Sequence, residues 1–166
     1  MGFLLVAAFA WFARPTPGSL GWGIPISLAG LALRAWAAGH LAKNQQLATG
    51  GPYAYIRNPL YAGTLLAAFG LASAARSIWL AVLFLGVFLL VYLPVVMLEE
   101  QHLTTLFPEY ADYAAAVPSL MPHRRPRPGP NRFSSKLYWK NREYQALLAF
   151  AAGLAWLIYR AWGFAP

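Results

Sequence analysis

Long blocks of apolar residues are the feature that most constrains how this chain can fold. Five such blocks occur, at residues 3–13, 20–42, 59–74, 77–98 and 145–162. A block of about 20 apolar residues matches a hydrocarbon core roughly 30 Å thick, and in lipid each block must satisfy its own backbone amides as a helix. Only 11% of the 166 residues are charged, against roughly 25% in an average soluble domain. The sequence therefore predicts an all-α protein, a polytopic transmembrane helical bundle with about five membrane segments and short cytoplasmic helices.

The lengths of these blocks divide the chain into three predicted parts. The second, fourth and fifth blocks are long enough to cross a bilayer, whereas the first and third are expected to be tilted or to cross only partly. The first block has no basic leading region, so we interpret it as a short first span and not as a cleaved signal. We expect a transmembrane core over 1–122, a basic, proline-rich cytoplasmic linker over 123–144 and a C-terminal hydrophobic helix over 145–166. That last helix either lies at the periphery or is exchanged with a neighbouring copy.

Basic residues predict the orientation in the membrane. The net charge is +8, and two loops on one side carry most of the cations, namely Lys43, Arg57, Arg124, Arg125, Arg127, Arg132, Lys136, Lys140 and Arg142. Three others, Arg14, Arg76 and Arg160, lie near the opposite side. Because short loops rich in Lys and Arg stay in the cytoplasm, we expect these two loops to face it, with the protein in the inner membrane.

The charge pattern and the lack of cysteine also exclude some functions. Cations that lie between apolar blocks do not form the basic face of a soluble nucleic-acid binder, so no nucleic-acid partner is expected. A chain without cysteine has no disulfide, no thiolate metal ligand and no cysteine nucleophile, and we predict no metal site.

The first stretch that suggests chemistry is 49–63, TGGPYAYIRNPLYAG. Gly51 belongs to a predicted tight turn, and Pro59 suits the first turn of a helix because it has no amide to leave unpaired. Arg57 and Asn58 would then lie at a helix N-terminus, where free amides and a guanidinium can receive a carboxylate or phosphate. In the alternative interpretation, Arg57 only anchors the helix at the lipid headgroups and the tyrosines belong to an aromatic belt, formed by Tyr53, Tyr55 and Tyr61.

The second stretch is 99–118, EEQHLTTLFPEYADYAAAVP, directly after the longest apolar run. Glu99 and Glu100 are adjacent carboxylates beside hydrocarbon at the unfavourable end of a helix dipole, so they require a cationic or hydrogen-bonding partner. Water, Lys43 or the basic loop could supply it, or the carboxylates could face the bundle and bind a ligand's ammonium or hydroxyl groups. After Pro108, the spacing of Tyr110 and Tyr113 predicts a short amphipathic helix.

Taken together, the two stretches suggest a ligand that carries both charges. An anionic group could bind at Arg57, and a cationic group at Glu99 or Glu100. S-adenosylmethionine fits this arrangement because it has a zwitterionic amino-acid end and a sulfonium that tyrosine faces and carboxylates favour.

At these residues the chain resembles the isoprenylcysteine carboxyl methyltransferase and phospholipid methyltransferase family of integral membrane methyltransferases. The matches to its two motifs span roughly 43–122 and are Gly51, Tyr53, Arg57, Pro59, Tyr61 and Gly63, then Glu99, Glu100, Leu103, Phe107, Tyr110, Tyr113, Val117 and Pro118. There are two departures from the pattern. Asn58 replaces a histidine, which puts proton transfer at that position in doubt, and Pro108 replaces a glycine.

The resemblance implies a membrane methyltransferase whose S-adenosylmethionine pocket opens towards lipid for a lipophilic acceptor. The predicted cofactor-binding residues are Gly51, Tyr53, Arg57, Asn58, Pro59, Tyr61, Glu99, Glu100, Leu103, Tyr110 and Tyr113. Arg57 and Glu100 are also predicted to act in catalysis. The compatible acceptors are an isoprenylcysteine-like carboxylate, a lipid amine, and a small hydrophobic thiol or acid.

Two further residues are candidates for a role in catalysis or substrate binding. A carboxylate acceptor needs no base, whereas an ammonium must first lose a proton, and His102, one helical turn from Glu99, is the nearest candidate base. Arg34 lies deep in the second block and should face the interior because a lipid-exposed charge is costly. It is predicted to bind an anionic acceptor or the carboxylate of the cofactor, or else to extend towards the interface near Lys43.

Two other functions are compatible with the sequence. One is an NADPH-dependent, sterol-reductase-like membrane oxidoreductase, against which we note the lack of a second basic cluster near Arg57. The other is a non-catalytic, lipid-binding membrane bundle in which the tyrosines and the glutamate pair are interface anchors.

Overall fold

The computed structural model describes residues 2–122 and 129–163, and in this part of the chain all regular structure is helical. Helix α1 is Gly2–Phe12, α2 is Pro17–Ala38, α3 is Pro59–Ala74, α4 is Ile78–Val87 and α5 is Leu93–Leu106. Helix α6 is Tyr110–Ala116, α7 is Ser135–Lys140 and α8 is Tyr144–Ala161. A short 3₁₀ helix, Gly51–Ala54, precedes α3. The predicted all-α class is confirmed for the described residues.

Helices α4 and α5 form one continuous helix, Ile78–Leu106, joined by a π-helical turn at Phe88–Tyr92. Pro94 lies two residues after the turn ends, and the carbonyl four residues before it, that of Leu90, belongs to the turn. A proline has no amide to donate and would clash with that carbonyl in a regular helix. With 29 residues, this is the one helix in the described chain that is long and apolar enough to cross a membrane. A five-span bundle therefore stays a prediction, since α1 has 11 residues and α3 has 16.

Helices α2 and α3 pack antiparallel through small residues, which let the two backbones approach closely. Gly23 lies against Gly70 and Ala74, and Gly30 lies against Gly63 and Ala67. Between these contacts the Ser27 hydroxyl donates to the carbonyl oxygen of Ala67 at 3.0 Å. The pair forms the centre of the fold, and the loops at one of its ends carry the residues described below.

Away from these contacts, large apolar side chains are exposed along the helices, including Trp11, Trp22, Ile78, Trp79 and Leu90. Exposed apolar surface of this extent indicates contact with a membrane. A smaller core, built around Leu20, Ala72, Leu80 and Leu157, joins α2, α3, α4 and α8.

The helices differ from the sequence-based expectations at three places. The fourth apolar block was expected to end at residue 98, but its helix continues to Leu106, so Glu99 and Glu100 lie two turns before its end. The second block ends as a helix at Ala38 and continues as a loop. The expected linker at 123–144 contains helix α7, and its residues from 129 onward pack against the end of α2. Residues 123–128, with Arg124, Arg125 and Arg127, lie outside the described part.

The close packing of α2 on α3 predicts that Gly30→Ala destabilises the protein. A Cβ at this position would lie 2.6 Å from the carbonyl oxygen of Gly63, and because that oxygen belongs to a backbone it cannot move aside easily. We expect a loss of about 1–3 kcal/mol in the free energy of unfolding. Gly86→Ala is the matched control, since a Cβ there meets nothing within 4 Å. Unfolding of the detergent-solubilised variants measures the difference, and equal stabilities would contradict the packing.

Candidate functional site

The site begins where the chain enters α3. Asn58 is the residue that precedes the first turn of α3, and Pro59 occupies that turn, so the predicted helix start is confirmed. The amide of Arg57 donates to the carbonyl oxygen of Pro118 at 2.9 Å, and that of Asn58 donates to Ser119 at 3.1 Å. These bonds join the segment before α3 to the segment after α6.

Glu100 lies at the centre of a polar cluster at this junction. Its Oε1 accepts hydrogen bonds from the side-chain amide of Asn58 at 2.6 Å and from the Ser119 hydroxyl at 3.0 Å. Its Oε2 is 3.6 Å from Nη2 of Arg57. The Asn58 side chain therefore binds the carboxylate instead of capping its own helix. These donors offset the cost of holding a carboxylate beside an apolar helix.

Glu99 points to a different set of partners. Its Oε2 accepts a hydrogen bond from the Tyr61 hydroxyl at 2.8 Å. The Tyr61 ring in turn packs edge-on against Tyr92, with the ring centroids 6.1 Å apart. The two adjacent carboxylates therefore contact both sides of the start of α3, and they connect α3 to α5.

A cavity of about 40 Å³ lies beside Arg57, between the loop at 41–48 and helices α5 and α6. Two polar atoms at this cavity are buried and make no hydrogen bond of good geometry within the protein, namely Nε of Arg57 and the hydroxyl of Tyr110, although the Arg57 guanidinium lies close to that hydroxyl. Lys43, Leu103 and Tyr113 also line the cavity. Buried polar groups of this kind are normally paired, so they mark a place where a ligand can supply the partner.

Three tyrosines at the site keep their protons well above neutral pH. Burial raises the pKa of Tyr110 to about 12, an effect that the nearby Glu100 charge reinforces. Burial also raises the pKa of Tyr113 and of Tyr53. The Tyr113 hydroxyl donates to the carbonyl oxygen of Tyr53 at 2.7 Å. At physiological pH these side chains therefore act as neutral donors and as walls.

Arg34 faces the interior, as its position in an apolar block predicted, and forms an ion pair with Glu143 at the start of α8. Nε and Nη2 of Arg34 donate to the two carboxylate oxygens at 2.6 and 3.0 Å. Nη1 donates to the Leu60 carbonyl oxygen at 3.3 Å and to the Thr64 hydroxyl. This arrangement ties α2, α3 and α8 together, and an anionic substrate at Arg34 would have to compete with Glu143.

His102 is not brought to this cluster. Its side chain is exposed on α5, and its carbonyl oxygen accepts a bond from Thr105. The structure instead buries His40, whose Nδ1 is 2.8 Å from the Trp36 carbonyl oxygen. The other predicted site residues fall into two groups. Asn58, Tyr61, Glu99 and Glu100 form the hydrogen bonds described above, and the cavity is lined by Tyr53, Arg57, Leu103, Tyr110 and Tyr113. Gly51, at φ +57°, forms the turn before Tyr53.

An apolar groove of about 1100 Å³ runs along the outer side of α3. Leu33, Leu66, Phe69 and Val82 contribute to its walls. At one end it reaches Ile56, beside Arg57, and Met121, two residues after Ser119. The groove therefore ends next to the polar cluster.

Sequence reasoning missed two residues at this site, Ser119 and Glu143. Ser119 follows the second motif and has no local signal of its own. Glu143 could have been found from the sequence by elimination, because the buried Arg34 needs a counter-charge and the chain has only five acidic residues. Of these, Glu143 is the one that adjoins the last apolar block.

Comparison with known proteins identifies the family. Residues 23–110, which include α2, α3 and the glutamate pair, match the model of the phospholipid methyltransferase family. The chain belongs to this family.

Two curated proteins are similar to this family member over 91 residues, which is 54% of the chain. The cobalt-zinc-cadmium resistance protein CzcN of Cupriavidus metallidurans is 37% identical, and the nickel-cobalt-cadmium resistance protein NccN of Alcaligenes xylosoxydans xylosoxydans is 36% identical. The chain covers 42% and 43% of their respective lengths. No solved structure shows significant similarity to the chain.

The Arg34–Glu143 pair predicts a strong dependence of stability on both partners. Glu143→Leu leaves a largely buried guanidinium without its counter-charge and should cost about 2–3 kcal/mol of unfolding free energy. The double variant Arg34→Leu/Glu143→Leu removes both charges and should recover much of that loss. Unfolding of the four members of the cycle measures the coupling, and additive losses would contradict the pairing.

The raised tyrosine pKa values predict a loss of stability at alkaline pH. Below pH 10 the phenols are neutral in both the folded and the unfolded chain. Between about pH 10 and about pH 12, the unfolded chain releases phenolic protons that the folded chain retains, so the free energy of unfolding falls. Tyr110→Phe removes one of these groups and should reduce the slope. Unfolding measured across this pH range tests it, and identical slopes would refute the assignment.

Proposed function

We propose that this chain is an integral membrane methyltransferase that uses S-adenosylmethionine to methylate a lipophilic acceptor. The observation that carries the proposal is the proximity of unlike charges beside one small cavity. Arg57 and Tyr110 line the cavity, and Nε of Arg57 and the Tyr110 hydroxyl are buried there. The carboxylate of Glu100 lies 3.6 Å from Nη2 of Arg57, and Glu99 is its neighbour on α5.

The amino-acid end of S-adenosylmethionine suits these groups. Its carboxylate would accept from Nε of Arg57 and from the hydroxyl of Tyr110, the two buried donors at this cavity. Its ammonium and ribose hydroxyls would bind Glu99 and Glu100. The faces of Tyr53 and Tyr113 offer an aromatic wall close to the sulfonium.

The size of the cavity indicates how the cofactor enters. A volume of about 40 Å³ accommodates one small group and not the whole cofactor. The loop at 42–46 covers the cavity and is largely exposed, so it can move outward with little loss of packing. Cofactor binding is therefore coupled to displacement of this loop.

The apolar groove suits the acceptor. Its walls carry hydrocarbon side chains on α2, α3 and α4, so a lipid or prenyl chain can replace bilayer lipid there at little cost. Because the groove ends beside Arg57 and Ser119, it directs the head of such a molecule towards the polar cluster.

The residues at the cluster favour an acceptor that arrives with its nucleophile already ionised. Bound S-adenosylmethionine supplies a methyl group on a positively charged sulfur, and the protein has to position the acceptor and exclude water. In the described chain no histidine hydrogen-bonds to Glu99 or Glu100, and Asn58 cannot titrate. A carboxylate on a hydrophobic chain, such as an isoprenylcysteine-like acid, fits better than a lipid ammonium, which would first have to lose a proton.

We further infer a multi-pass protein of the inner membrane with this site facing the cytoplasm. The site lies at the end of the α2–α3 pair that carries Lys43 and Arg57, and α7 adds Lys136 and Lys140 there. Basic residues of this kind stay on the cytoplasmic side.

Calorimetric titration of the detergent-solubilised protein tests the function. We expect S-adenosylmethionine to bind and NADPH not to bind. Arg57→Ala and Glu100→Gln should each weaken binding by about tenfold or more, the loss expected when one charge-assisted contact disappears. Glu109→Gln is the matched control, since Glu109 is an exposed carboxylate just beyond α5 and should change affinity less than about twofold.

Two results would overturn the proposal. Binding of NADPH in preference to S-adenosylmethionine would indicate an oxidoreductase. Absence of binding by either compound, with a folded wild-type protein, would indicate the non-catalytic membrane bundle.

A further inference from the structure

The segment at 129–143 is outside the residues that match the family, yet it contacts both ends of the loop over the cavity. At one end, the amide of Ser134 donates to the Gly39 carbonyl oxygen at 2.8 Å. The side chain of Asn141 donates to the carbonyl oxygens of Ala38 and Leu41, both at 2.9 Å. At the other end the segment contacts Thr49 and Gly50.

Asn131 makes this second contact through one oxygen atom. Its Oδ1 accepts from the Thr49 amide at 3.0 Å, from the Gly50 amide at 3.2 Å and from the Thr49 hydroxyl at 3.3 Å. A Cβ on Gly50 would collide with the Asn131 carbonyl oxygen, so the two backbones are in direct contact. Asn131 thus satisfies two amides that the turn cannot pair internally.

The turn bound by Asn131 leads directly into the candidate site. Gly51 follows with φ +57°, a left-handed conformation that glycine adopts without strain. Tyr53 comes next and accepts the bond from Tyr113, and Arg57 is held by the Pro118 carbonyl oxygen. The chain from 49 to 57 is therefore held at three points, and Asn131 supplies the first.

We propose that Asn131 is a positioning residue for cofactor binding. By fixing the Thr49–Gly50 backbone, it sets where Tyr53 and Arg57 lie relative to Glu99 and Glu100. Its role is conformational, since its contacts are with the turn and not with the cavity. The inference rests on the proposed function, because the measured consequence is affinity for S-adenosylmethionine.

Titration with S-adenosylmethionine compares Asn131→Ala with Asn131→Asp. The alanine variant loses all three contacts to the Asn131 side-chain oxygen and should bind S-adenosylmethionine about tenfold more weakly. The reason is that part of the binding free energy is then used to order the turn. The aspartate variant keeps an oxygen in place and should stay within about threefold of wild type. Thr49→Val removes one donor of the three and should cause a smaller loss than Asn131→Ala.

Asn141→Ala is the matched control for these variants. It removes an asparagine of the same segment that also binds backbone groups, in this case two carbonyl oxygens. These partners, Ala38 and Leu41, lie at the end of α2 and just beyond it, and not in the turn. We expect it to lower thermal stability while affinity stays within about twofold of wild type. Hydrogen exchange of the peptide that contains Thr49 and Gly50 should accelerate in Asn131→Ala and remain unchanged in Asn131→Asp and Asn141→Ala.

The outcomes separate this inference from the proposed function. If wild type binds and Asn131→Ala binds equally well, or if Asn141→Ala weakens binding as much, Asn131 is not a positioning residue. If Asn131→Ala does not fold, Asn131→Asp and Thr49→Val decide. A loss of about tenfold or more in Asn131→Asp, or unchanged affinity in Thr49→Val, refutes the role of the acceptor oxygen. If folded wild-type protein does not bind S-adenosylmethionine, the proposed function fails and the cofactor role of Asn131 fails with it.

Discussion

Two adjacent carboxylates on an otherwise apolar helix are the constraint on which the site depends. Glu99 and Glu100 need hydrogen-bond donors, because an unpaired carboxylate beside hydrocarbon costs on the order of several kcal/mol of folding free energy. The donors come from Tyr61 and Asn58 at the start of α3 and from Ser119 after α6. The requirement therefore brings three parts of the chain together, and Arg57, which lies 3.6 Å from Glu100, connects this cluster to the neighbouring cavity.

The second charge pair, Arg34 with Glu143, gives the C-terminal part of the chain a structural role. Small residues allow α2 and α3 to approach closely, which places Arg34 beside Thr64 and the Leu60 carbonyl oxygen. Glu143, at the start of α8, then supplies the counter-charge to the Arg34 guanidinium. The segment from 129 to 143 is thereby joined to the end of the bundle that carries the site.

The polar cluster and the apolar groove have different roles in the proposed reaction. In the proposed reaction, Arg57, Tyr110 and the glutamates would bind a small zwitterionic cofactor, and the groove along α3 would bind a hydrocarbon chain. The two meet near Ile56 and Ser119, where polar backbone pairing gives way to apolar side chains. A methyl group has to pass between a charged donor and a lipid-soluble acceptor, and this boundary is where both can be bound without exposing either to bulk water.

The sequence by itself determined the helical class, the helix start at Pro59, the short helix after Pro108 and the residues Arg57, Asn58, Glu99 and Glu100. Each depends on local backbone chemistry, on hydropathy over a short window or on an ordered motif. Only the tertiary structure decided which distant groups form hydrogen bonds and ion pairs with one another. Ser119 binds Glu100 across 19 residues, Asn131 binds Thr49 across 82, and Glu143 binds Arg34 across 109. The tertiary structure also shows that His102 is exposed and lies outside the cluster, and that α5 continues beyond Glu100 to Leu106. Such pairings depend on how the helices pack, and no local pattern encodes which distant side chain will supply the missing charge or donor.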